Sequence, residues 1–88
     1  MKRQTESLVQ MANRTLRAGV TMRASSAAVT LNHQKIRSSL GRAYDSSGRG
    51  IYTVIRHAWR RLRNAQRFSD ADAVALAFVK ADGTYAYL

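Results

Sequence analysis

Apolar residues recur at helical spacing most clearly over residues 51–67. Ile51, Ile55, Ala58, Leu62 and Ala65 follow an i, i+4, i+7, i+11, i+14 pattern, with Val54 and Trp59 beside them. At about 100° per residue these side chains fall on one stripe, so the segment reads as an amphipathic helix. A similar stripe of Leu8, Ala12 and Leu16, with Val9 alongside, predicts a helix over residues 5–18. Thr5 suits its N-cap and Gly19 its stop. Ile36, Leu40, Ala43 and Tyr44 predict a further helix over residues 33–44, with Asn32 as N-cap. Gly41 weakens that helix by about 1 kcal/mol relative to alanine. Residues 20–31 carry a mixed signal. Val20, Met22 and Ala24 alternate as in a short strand, whereas Ser25 and Ser26 can cap a helix running from Ala27. An extended piece followed by a helix is expected there.

From Ala73 onward the period changes to two. Val74, Leu76 and Phe78 alternate with alanines, Asp82-Gly83 is a two-residue turn signal, and Thr84 to Leu88 supplies a return strand. The β-hairpin so predicted pairs Phe78 with Tyr87 and Lys80 with Tyr85. The rival reading takes Ser69-Asp70-Ala71-Asp72 as a helix N-terminus and Gly83 as its stop. A lone hairpin is marginal, so it needs the helices, another chain or a third strand, for which residues 20–24 are the candidate. The expected fold class is therefore α+β, a three-helix core with a C-terminal β-hairpin in one small domain over residues 1–88. Its element order is analogous to a winged helix-turn-helix, with residues 51–67 as the recognition helix and the 80–85 turn as the wing tip. Asp45 to Gly50, DSSGRG, is longer than the usual turn of that motif.

Composition sharpens the picture. Hydrophobic residues make up 45% of the 88, enough for a core, though a thin one that dimerisation or a partner can supplement. Cysteine is absent, which excludes disulfide staples, thiolate metal sites and cysteine nucleophiles. The opening MKRQTESLVQ lacks the apolar run of a secretory signal, and no stretch approaches the ~20 apolar residues of a membrane span. A soluble, cytoplasmic protein is expected.

The net charge is +10, from 15 Lys+Arg against 5 Asp+Glu. Between residues 7 and 69 Asp45 is the single acid. Within this basic stretch Arg56, Arg60, Arg63 and Arg67 recur at spacings of four, three and four. They occupy about 60° of arc opposite the apolar stripe. Arg49 extends the line into the preceding loop, and Arg61 and His57 widen it. Arginine offers a rigid donor fork suited to phosphate, and each phosphate neutralised releases counterion. An ordinary solvated helix face mixes signs, whereas residues 46–69 hold no acid. Because the stripe runs the whole helix, it favours backbone contact over base reading.

Other features are weaker. Ser46 to Gly50 could bring backbone N–H groups to a phosphate at a helix start, but it is not a P-loop. Tyr85 and Tyr87 on a strand could stack bases, with packing against the basic helix as the plainer role. His33 and His57 have no metal spacing and no third ligand, so neither catalysis nor a metal or cofactor is expected. The function expected is a non-enzymatic nucleic-acid-binding module, regulatory or accessory, contacting phosphates through Arg49, Arg56, Arg60, Arg61, Arg63 and Arg67. The alternative is a small interaction protein or inhibitor, of the phage or mobile-element kind, docking its basic face on an acidic protein surface. Lipid-surface binding by the same helix ranks below both, because the core needs its apolar stripe.

Overall fold

The first stripe folds as expected in kind but not in extent. In the computed structural model, which describes residues 2–88, helix α1 runs Lys2–Arg17. Met1, part of the basic opening of the chain, lies outside the described residues. Leu8, Val9, Met11 and Ala12 are buried, while Leu16 is partly exposed. Gly19, at φ +74°, ends the helix. Its N–H donates to Leu16 O (3.0 Å) and that of Val20 to Thr15 O (3.3 Å), a Schellman stop.

Met22–Arg23 is the extended piece, strand β1, and helix α2 follows at once as Ala24–His33. It begins three residues before Ala27. The helix expected over residues 33–44 does not form. The chain leaves α2 through Lys35 at φ +62°, with Ile36 N–H reaching back to Leu31 O (3.0 Å), so residues 34–50 form a loop. Leu40, assigned to a buried face, is 78% exposed. Asn32 caps no helix there. Its amide donates to Tyr44 O and accepts from Tyr44 N–H, both at 2.8 Å. The Tyr44 hydroxyl is buried, donates to Arg37 O (3.1 Å) and accepts from Gln4. This hub satisfies polar groups that helix hydrogen bonds would otherwise have taken.

The strongest stripe forms helix α3, Ile51–Asn64. Ile51, Ile55, Ala58 and Leu62 are buried; Ala65 lies past the helix end and is exposed. The stop uses no glycine. Gln66 takes φ +61° and Arg67 N–H donates to Leu62 O (2.8 Å). The chain then reverses into helix α4, Phe68–Ala77.

Helix α4 corrects the hairpin. Residues 73–77 are helical, because this alanine-rich run is enclosed mainly by α1 and α3, and Ala71, Ala73, Val74, Ala75 and Ala77 are all buried. Alanine is the best helix former, and a helix buried on most sides shows no clean stripe. Strand β2, Phe78–Val79, pairs in parallel with β1, Met22 opposite Phe78 and Arg23 opposite Val79. What remains of the return is one antiparallel bridge between Val79 and Tyr85, with Ala86 N–H donating to Phe78 O (3.0 Å). The expected pairs Phe78–Tyr87 and Lys80–Tyr85 are therefore off register. Phe78 is fully buried at the centre of the core, which fixes that register. The fold is α+β, with four helices and a two-stranded parallel sheet among the described residues.

Candidate nucleic-acid interface

Helix α3 carries Arg56, Arg60, Arg61 and Arg63, with Arg49 in the loop before it and Arg67 past its end, and the tertiary structure divides these arginines into two groups. Arg56 is half-buried. Its Nε donates to Tyr87 O (3.1 Å) and its Nη2 to Leu88 O (2.6 Å), tying segment 85–88 along the helix. Arg61 donates to the Thr5 hydroxyl (3.3 Å) and so links α3 to α1.

Arg67 departs furthest from expectation. It lies beyond α3, at the boundary of α4, and is the centre of an ion-pair cluster. It binds both carboxylate oxygens of Glu6 and pairs with Asp70 at 2.8 Å. Hydrogen bonding to Glu6, then to Asp70, holds its guanidinium even further above neutrality than usual. The stripe is therefore not free of acids: Glu6 comes from α1 and Asp70 from α4.

The other group is available. Arg60 is exposed and makes no hydrogen bond or ion pair among the described residues. Arg63 is exposed too, with its guanidinium 5.4 Å from the Trp59 ring centroid and 5.5 Å from that of Phe68. This cation–π arrangement orients the group, whose N–H donors make no hydrogen bond among the described residues. Arg49 is exposed in the loop before α3. Its neighbour Asp45 accepts from Ser47 N–H (2.9 Å), which holds that carboxyl below the usual carboxylate range.

Glycine at position 48 fixes this loop. Gly48 is buried at φ +86°, and a Cβ there would sit 2.7 Å from Ser25 N. The N-terminus of α2 thus packs directly on the loop that carries Arg49. The sequence marked the loop but not this contact, which depends on a helix start at Ala24.

Sequence reasoning also undervalued the aromatics around Arg63. Trp59 and Tyr87 are 5.3 Å apart between ring centroids, Tyr87 and Tyr85 are 6.3 Å apart, and Lys80 lies over Tyr52 at 5.3 Å. The period-two spacing of Tyr85 and Tyr87 and the place of Trp59 beside the apolar stripe were the advance signals. His33 and His57 are exposed, and the described residues contain no group of three potential metal ligands. No described helix is long and apolar enough to cross a membrane. Comparison with protein families, curated proteins and solved structures finds no match to this chain.

Proposed function

We propose that this chain is a non-enzymatic nucleic-acid-binding module, regulatory or accessory, that grips phosphates through the outer face of α3. The observation that carries the reading is the pair Arg60 and Arg63, exposed and without acidic partners among the described residues, in a chain of net charge +10. Arg49 extends the face at the start of the helix. Arg56, Arg61 and Arg67 add to the field, but their donors are engaged in holding the fold. Exposed guanidinium groups near 0.15 M salt interact over about 8 Å, so Arg60 and Arg63 act together on neighbouring phosphates. Backbone tracking, and not base reading by a winged recognition helix, is the mode this arrangement favours.

The test is a gel-shift or anisotropy titration across a range of salt. Log affinity should fall linearly with log salt, by about 0.9 per phosphate contacted on duplex DNA. The Arg60→Glu/Arg63→Glu variant should lower that slope by about 1.8 and abolish binding at physiological salt, with an unchanged circular dichroism spectrum. Binding that survives this double reversal would refute the proposal.

A further inference from the structure

The basic face is bordered by a row of contacts in which the Arg63 guanidinium joins Phe68 to a cluster of three rings, Trp59, Tyr87 and Tyr85. Starting at the head of α4, Phe68 is 51% exposed and lies against Arg63. The same guanidinium touches Trp59, whose ring contacts Tyr87, and Tyr87 contacts Tyr85, which is 40% exposed. Trp59 and Tyr87 are partly buried against the core and anchor the middle. The most accessible rings are thus the two ends, with Arg63 within the row and Arg60 on the next turn of the same helix.

About half of the Phe68 surface meets solvent, whereas Phe78 is fully buried. Arg56 supports the other end: by holding the Tyr87 and Leu88 carbonyls it keeps segment 85–88 against α3, where its tyrosines continue the line from Trp59.

From this geometry we infer that the partner is single-stranded nucleic acid, with bases stacked on Phe68 and Tyr85 and the phosphates between them held by Arg63 and Arg60. The inference rests on the phosphate-binding reading above and narrows it. Two physical arguments select a single strand over a duplex. A duplex keeps its base faces stacked inside and offers exposed rings nothing to bind, whereas an unpaired strand presents flat π-faces that any aromatic ring accepts. A helix of about 10–12 Å diameter only just fits a major groove about 12 Å wide, so α3 with segment 85–88 along its flank is too broad to enter one. Lys80 over Tyr52 adds a further cation beside the return segment.

The test compares a labelled oligothymidylate of about 15 nucleotides, within the site sizes known for stacking proteins, with the matching duplex. Anisotropy should show the single strand bound about 10-fold more tightly or better. Trp59, the sole tryptophan, should be quenched by the single strand and not by the duplex. Truncating one stacking ring typically costs a factor of about 5 or more, so Phe68→Ala/Tyr85→Ala should lose at least about 25-fold for the single strand and much less for the duplex, where Phe68 only steadies Arg63. Both rings are exposed, so thermal melting should confirm that the variant is folded; the Trp59 signal of the unaltered protein tests the idea independently. Equal affinity for both forms, with no Trp59 quenching and no effect of the ring truncations, would overturn the stacking platform and leave phosphate binding standing. Absence of binding to either form at low salt would overturn both.

Discussion

Gly48→Ala should be among the most damaging small substitutions in the chain, and its cost can be worked from two separate terms. The first is conformational: φ is +86° at this position, and a left-handed backbone costs a non-glycine residue about 1–2 kcal/mol. The second is steric. The added Cβ would lie 2.7 Å from Ser25 N and 3.0 Å from both Ala24 C and Ser25 Cα. All three are backbone atoms at the start of α2, so no side chain can rotate away, and relieving such an overlap costs about 1–3 kcal/mol. Lower entropy of the unfolded chain returns about 0.4–1 kcal/mol. The net loss is about 1–4.5 kcal/mol, a substantial share of the roughly 4–13 kcal/mol expected for a domain of this length. The melting temperature should fall by roughly 5–35 °C. Urea denaturation followed by circular dichroism should show a lower midpoint with an unchanged slope. Two controls separate the terms. Gly41 has φ +76° but nothing within 4 Å of its Cβ position, so Gly41→Ala should cost only the conformational part less the same unfolded-chain return, about 0–1.5 kcal/mol. Gly50 has φ −67° and open space, so Gly50→Ala should stay within about 1 kcal/mol of neutral. If Gly48→Ala proves no worse than Gly41→Ala, the loop is not seated on α2 as described and the steric argument fails.

The division of the arginine stripe is open to a paired comparison: Arg67→Gln should lower the melting temperature, with a deficit that shrinks at high salt, and should barely change the salt slope of nucleic-acid binding. Arg60→Gln should do the reverse, and a matching pattern in the two variants would contradict the division. Acid should destabilise the protein in part through Asp82, which accepts from the Thr84 hydroxyl (2.7 Å) and N–H (3.0 Å), and through Asp45, which accepts from Ser47; these bonds hold both carboxyls below their usual range. A depressed folded value means that this contribution is complete above the unfolded carboxylate pKa of about 3.9 and is lost as pH falls through the folded one, so Asp82→Asn/Asp45→Asn should flatten the melting profile below about pH 4 and leave its neutral limb parallel to that of the unaltered protein.

Local periodicity determined a good deal of this protein. The stripe from Ile51 to Leu62 needed only its own spacing to predict a helix, its buried face and the arginines on the opposite side, because helix geometry fixes all three within one segment. The Gly19 stop was legible for the same reason, since a left-handed residue next to an ended stripe is a local event. The extended piece near Met22 was visible too, although its partner was not.

Tertiary structure decided the rest. Residues 73–77 alternate large and small side chains as a strand does, yet α1 and α3 enclose them, and a buried alanine-rich helix leaves no amphipathic signature to detect. Residues 34–44 show a helical period but are held by Tyr44, whose partners Gln4, Asn32 and Arg37 come from three separate places in the chain. The candidate site divides in the same way. The sequence alone placed Arg56, Arg60, Arg63 and Arg67 in one line. Only the fold brought Glu6, 61 positions away, against Arg67, and the Tyr87 and Leu88 carbonyls against Arg56. Long-range partners of this kind carry no local period, so a cation engaged in holding the fold and a cation free for phosphate look identical until the chain has folded.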